Sequence, residues 1–212
     1  MQTQTAPQSA KLIPEIVQRL AAGEVLVLPM ATVYAIAAQA FNPNAVAELA
    51  RVKEWPVPHP LALLTSPDKA AEFGVINSPC QQLLAHLPLP ITFLVPPRPN
   101  VPQFILQGRK SLMLVCPDEF ILQLVQTAPF AIAVTPAKQP PDAIARNFTT
   151  AKQLFAGKVP LIVDGGQCRY GQNGTMVDFT VDIPTVLSYG PISSDNLKQL
   201  LPEVELPSHL RK

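Results

Sequence analysis

Charged side chains are scarce in this 212-residue chain: 15% of residues are Asp, Glu, Lys or Arg, and together they leave a net charge of +1. With no surplus of either sign, no long-range field draws the protein to nucleic acid or to an anionic membrane, so any anion site must be local. Cysteine is sparse as well. Cys80, Cys116 and Cys168 stand far apart without zinc-ligand or CxxC spacing, which leaves three buried thiols as the reading. No apolar run reaches bilayer-spanning length, and the opening MQTQTAPQSA has no basic segment followed by an apolar one. A reduced, cytoplasmic location with no membrane partner is therefore expected. No internal repeat and no domain boundary is visible.

What the chain does have is apolar content, 48% of residues, and a length that buries a full core without disulfide or metal staples. Its 25 prolines are spread along the sequence at element ends such as Pro29, Pro90 and Pro160. Because proline fixes φ and removes a donor, they read as punctuation and rigid loops. Residues 1–10 are expected to be a flexible polar tail, 11–201 a single domain and 202–212 a second tail.

Within the domain, helical and strand patterns alternate. A helix is predicted from Pro14 to Ala22, with Gly23 as its stop. Val25–Leu28 is apolar without alternation, the pattern of a strand buried on both faces. Asn42 and Pro43 form an N-cap and first turn, and Val46, Leu49, Ala50 and Lys53 then share one helical stripe. Further strands are predicted at Leu61–Leu64, Ile91–Val95, Ser111–Cys116, Phe130–Val134, Leu161–Val163, Thr175–Val181 and Thr185–Ser188. Helices are predicted over Asp118–Thr127, Phe148–Phe155 and Asp195–Leu201. Alternation of this kind argues for an α/β domain with a partly parallel sheet, and the consecutive strands near the C-terminus add antiparallel pairing.

Seven short stretches then fall in an order that resembles the YrdC-like domain, the threonylcarbamoyl-AMP synthase family. They are Pro29–Ile36 against PT[ED]TVYGL, Lys53-Glu54-Trp55 against KxR with His59-Pro60-Leu61 against KPL, and Pro88–Thr92 against PGPxT. Val115–Asp118 stands against RxPD, Thr135-Pro136-Ala137 against SAN, Gly174–Asp178 against STVVD, and Ser188-Tyr189-Gly190 against RxG. The resemblance covers about Leu12 to Ile192. It implies a single YrdC-like domain, a twisted mixed parallel/antiparallel sheet flanked by helices around a concave cavity. It also implies a reaction of threonine, bicarbonate and ATP in tRNA modification. Longer members carry an extra C-terminal domain, and none is expected here.

Polar or charged members of these motifs are replaced at Met30, Ala31, Trp55, His59, Val115, Ala137, Gly174 and Ser188. A triphosphate needs fixed cations, and removing one such donor typically costs about two to three orders of magnitude in rate. The candidates left for ligand or nucleotide contact are Thr32, Tyr34, Lys53, Trp55, His59, Thr92, Thr135 and Thr175. Each has a plainer alternative. Lys53 is either an anion contact or a snorkelling helix-end lysine. The threonines are either ligand hydroxyls or turn caps, and Tyr34 is core with a satisfied hydroxyl. Trp55 either stacks on a base or plugs a vacated pocket, and His59 is a pH-dependent cation or an ordinary residue. Arg98, Arg109 and Lys110 stand in an acid-free stretch, as an RNA rim or a solvated loop. Asp164-Gly165-Gly166 reads as a turn, and no metal site is expected.

Three readings follow. One is a threonylcarbamoyl-AMP synthase-like protein with reduced or lost catalysis, using ATP with magnesium and threonine if activity is retained. Another is a non-catalytic module on the same fold for double-stranded RNA, tRNA or a nucleotide. The third is a transferase that reuses the cavity on a less anionic ligand. No covalent cofactor is expected in any of them.

Overall fold

A computed structural model describes residues 2–54 and 61–207. The strands are β1 (Gln4–Pro7), β2 (Leu26–Leu28), β3 (Ala35–Gln39), β4 (Ala62–Leu64), β5 (Leu89–Val95), β6 (Leu112–Cys116), β7 (Ile132–Pro136), β8 (Lys138–Gln139), β9 (Ala143–Ile144), β10 (Leu161–Asp164), β11 (Thr175–Asp178) and β12 (Thr185–Ser188). The helices are α1 (Ile13–Ala21), α2 (Pro43–Lys53), α3 (Ala70–Phe73), α4 (Ser78–Leu84), α5 (Gln103–Leu106), α6 (Glu119–Thr127), α7 (Phe148–Phe155) and α8 (Ser194–Leu200). Ten strands form one sheet in the order β1-β10-β2-β3-β7-β4-β6-β5-β11-β12, and β8 with β9 makes a separate small hairpin. The pairings β1–β10, β10–β2, β4–β6 and β5–β11 are parallel, and the other five are antiparallel. The sheet is mixed, as the alternation of patterns requires.

Local chemistry sets the helix starts. Asn42 accepts hydrogen bonds from the amides of Asn44 and Ala45, and Pro43 occupies the first turn, where a missing N–H costs nothing. Asp118 caps α6 through the Ile121 amide, and Asn147 caps α7 through that of Thr150.

The sheet is buried unequally on its two faces. One face packs all along its width against α2, α4, α7 and α8, with Ile36, Leu63, Phe93, Leu114 and Val177 among its buried residues. Among the described residues, the other packs against two helices, α1 and α6, through Leu26, Leu28, Ala35, Ala37, Leu161 and Val163. On this second face Thr92, Met113, Val115 and Met176 are half-buried, and Ser188 is exposed. That uncovered half of a sheet face is where the cavity lies.

Two readings of the sequence change. Residues 1–10 are not a free tail: Gln4–Pro7 is an edge strand beside β10, tied by the Gln4 amide to the Pro160 carbonyl and the Gln8 amide to that of Asp164, each 2.8 Å. Its polar side chains suit a strand with one solvated edge, and that is why the segment looks like a tail. At the other end Val204 is buried and Glu205 exchanges backbone hydrogen bonds with Pro184 and Val186, so 202–207 docks beside β12. Strand β3 was not visible either. Its sequence AIAAQ favours a helix by propensity, yet it lies centrally between β2 and β7, where small side chains admit α1 and α2 closely on opposite faces.

The ends of β11 and β12 are locked together by Gly190. Its N–H donates to Thr175 Oγ1 at 2.9 Å, and a Cβ there would fall 2.5 Å from both Asn173 O and Thr175 N. Gly190→Ala is expected to lower the urea midpoint by the equivalent of about 1–3 kcal/mol, the usual cost of overpacking against backbone. An unchanged midpoint would show that these two segments are not in contact.

Candidate functional site

A cavity of about 200 Å³ occupies the uncovered half of the second sheet face. Its floor is set by register: Met176 of β11 stands opposite Thr92 of β5, and Thr92 opposite Val115 of β6. Met113 is two residues from Val115 and so shares its face. The walls come from Met30, Thr32 and Val33, from Thr135 and Pro136 at the end of β7, and from Asn173, Gly174 and Ser188. Ala35 pairs with Pro136, which brings Thr32 and Thr135 to the same end of the β3–β7 pair.

The wall loop is held by its backbone. The Ala31 amide donates to Asp118 Oδ2 at 2.7 Å, and the Ala31 carbonyl accepts from the Tyr170 amide at 2.8 Å. Asp118 therefore ties the loop to the start of α6. Burial pushes its carboxyl above the usual range, against amide hydrogen bonds from Ile121, Ala31 and Phe120 that favour the charged form.

Lys53 ends the inward stripe of α2, below Val46 and Leu49, and is itself only 6% exposed. Glu54 then stops the helix in a left-handed conformation, φ 52°. The Lys53 ammonium does not snorkel to water. It donates to Thr135 Oγ1 and, at 3.4 Å, to the Pro136 carbonyl. Burial pulls its pKa down from 10.5 to about 8, with a smaller push from the charge of Lys138.

The remaining sequence candidates separate. Thr32, Thr92 and Thr135 line the cavity. Thr32 is 6% exposed, and its hydroxyl has no hydrogen-bond partner among the described residues. Tyr34 lies in the core, where its hydroxyl accepts from the Gly165 amide and donates to the Gly166 carbonyl, and burial raises it to about 12. Thr175 is fully buried and its oxygen serves Gly190. Arg98 is spent on the Ala71 carbonyl at 2.6 Å, and neither it nor Arg109 nor Lys110 lines the cavity. Trp55 and His59 lie outside the described residues.

Other residues reach the site without having been singled out for it: Asn173, Met113 and Met176. Met113 and Met176 sit at half-buried strand positions, and Asn173 lies in the loop just before β11, where no local pattern marks it. A cleft of about 610 Å³ adjoins the cavity and shares Met30 and Pro117 with it. Its one lining cation among the described residues, Arg169, lies 5.2 Å from the centre of the Tyr170 ring. The cavity itself has no charged side chain in its lining among the described residues. Such a surface binds through hydroxyls, one amide and thioethers, with a single ammonium behind Thr135.

This mixed sheet with a cavity on its half-covered face is the architecture of a known α/β family. The chain belongs to the Sua5–YciO–YrdC family, whose model, described as "Telomere recombination", matches residues 18–190. It is 26% identical over 188 residues to the threonylcarbamoyl-AMP synthase of Pyrococcus abyssi, covering 87% of this chain and 55% of that protein. A putative threonylcarbamoyl-AMP synthase of Mycobacterium tuberculosis is 27% identical over 200 residues, covering 92% of this chain and 91% of that one. The chain thus spans about half the length of the first relative and nearly all of the second. Among solved structures, P. abyssi Sua5 complexed with L-threonine superposes with a TM-score of 0.87 at 22% identity, covering 98% of this chain and 63% of that chain. Escherichia coli YciO gives 0.79 at 21% identity, covering 94% and 99%. Among the described residues, no helix is long and apolar enough to cross a membrane.

The buried ammonium has a pH signature. Between about pH 8 and 10.5 the unfolded chain holds a proton at Lys53 that the folded chain has released, so stability rises with pH across that window. Relative to Lys53→Met, which cancels the other titrating groups, wild-type stability is expected to rise by on the order of 2 kcal/mol between those limits. Urea titration of both proteins at the two pH values measures it. A pH-independent difference would mean that the ammonium is hydrated.

Proposed function

We propose that this chain is a threonylcarbamoyl-AMP synthase-like protein whose adenylation chemistry is reduced or lost while the cavity still binds a small ligand. The observation that carries this reading is the lining itself: no arginine, no lysine and no acid faces the cavity among the described residues. The names of the relatives point to threonine and an adenylate. A nucleoside triphosphate brings several negative charges to its site, and their transfer chemistry is stabilised mainly by preorganised donors. Here Met30, Val115, Gly174 and Ser188, four of the positions where the family motifs carry polar or charged residues, all line the cavity. The Lys53 ammonium stands behind Thr135, and two of its three donors already serve Thr135 and Pro136. Arg169 in the adjoining cleft is stacked on Tyr170.

Calorimetric titration with ATP and magnesium, beside an assay of pyrophosphate release with threonine and bicarbonate, tests the reading. ATP is expected to bind only in the millimolar range. Turnover is expected to be at least about 100-fold below that of a catalytic relative assayed in parallel, since one lost donor costs about that much. Restoring charge with Val115→Arg and Ser188→Arg is expected to tighten ATP at least about tenfold, as new charge-assisted hydrogen bonds would. Turnover of the unaltered chain at the relative's rate would falsify the reading.

A further inference from the structure

The chain has four methionines, and the three after Met1 — Met30, Met113 and Met176 — all line this one cavity. They come from three separate parts of the chain: a wall loop, β6 and β11. Methionine is unbranched and polarisable, and is used where an apolar surface must adapt to the shape of what it meets. With Val115 and Val134 beside them, they make the floor a surface for hydrocarbon rather than for a ribose or a phosphate.

The polar end of the cavity has a different character. Thr135 Oγ1 accepts an N–H from Lys53, which leaves its own hydroxyl proton to be donated elsewhere. Thr32 is more than nine-tenths buried, lines the same cavity, and has no hydrogen-bond partner among the described residues. Behind Thr135 the Lys53 ammonium, held by the Thr135 hydroxyl and the Pro136 carbonyl, sets a positive charge at this end of the cavity without lining it. Two hydroxyl donors backed by one cation suit a single acceptor group. No carboxylate lines the cavity among the described residues, so an ammonium-bearing ligand would find no counter-charge.

We propose that the cavity binds a small aliphatic monocarboxylate without an amino group, its carboxylate at the hydroxyls of Thr32 and Thr135, with the Lys53 ammonium behind Thr135 as counter-charge, and its hydrocarbon chain across Met30, Met113 and Met176. One negative charge matches one ammonium, and a volume of about 200 Å³ lies below the roughly 300–1,000 Å³ of sites for larger ligands. This inference rests on the preceding reading, because a site serving ATP would need the same space.

The test is a calorimetric series of acetate, butanoate and hexanoate on the full-length chain, with L-threonine and ATP in parallel. Affinity is expected to rise about fourfold for each buried methylene, the equivalent of about 0.8 kcal/mol, and hexanoate to bind more tightly than threonine. In Met113→Gln the gain per methylene is expected to fall below about twofold. Methyl NMR of methionine-labelled wild type provides a second readout that does not depend on the folding of the variant: hexanoate is expected to shift the Met30, Met113 and Met176 signals. Affinity independent of chain length, or unmoved methionine methyls at about 10 mM hexanoate, overturns this inference and leaves reduced adenylation standing. Pyrophosphate release at a catalytic relative's rate overturns reduced adenylation, and with it the premise used here.

Discussion

Ten strands standing about 4.8 Å apart make a sheet roughly 45 Å across, whereas two helices side by side cover about 20 Å of it. Everything particular to this molecule follows from that mismatch. On the face served by α1 and α6, most of the residues from β10 to β4 are buried, and among the described residues no helix covers β5, β11, β12 and the Met113 and Val115 positions of β6. A sheet face abandoned in this way must be polar or be occupied. In this chain it is neither strongly polar nor sealed. Its side chains mix hydroxyls, thioethers and branched aliphatics, and the wall loop borders it.

The loop stays in place through its main chain rather than its side chains. Asp118 accepts the Ala31 amide and the Ile121 amide together, so the same carboxylate starts α6 and fixes the cavity wall. The side chains of Met30 and Thr32 are thereby free to differ without loosening the wall. That separation of scaffold from contents lets the side chains lining the cavity vary while the framework is kept. Lys53 fits the same logic. Its ammonium is kept inside by a hydroxyl and a carbonyl, a polar pair that tolerates a cation without an acid to neutralise it.

The framework was largely legible in the sequence. Asn42-Pro43, Asp118 and the span Phe148–Phe155 declare helix boundaries through capping chemistry, which acts over three or four residues. Of the stripe read from helical spacing, Val46, Leu49 and Lys53 face inward, while Ala50 is exposed. Ala45 and Val52 complete the buried face, which lies rotated from the predicted one. What stayed hidden was set at longer range. β3 reads as a helix former because its strand state is imposed by neighbours on both sides and both faces. The floor of the cavity was hidden for a related reason. Met113 and Met176 look like ordinary half-buried strand residues until the order β6-β5-β11 brings them together, and no local pattern specifies that order. Thr175 errs the other way, since its place in a family-like motif suggested a ligand and its buried oxygen is committed to Gly190.

The position of β10 has a consequence for how the edge of the sheet is secured. It inserts between β1 and β2, parallel to both, although residues 161–164 lie far downstream of either partner. The crossover through α1 therefore leaves a slot one strand wide near the start of the protein. Because β1 pairs with no other strand among the described residues, nothing in the sheet holds it until that slot is filled. One edge of the sheet is thus completed by a segment far along the chain from the strand it secures.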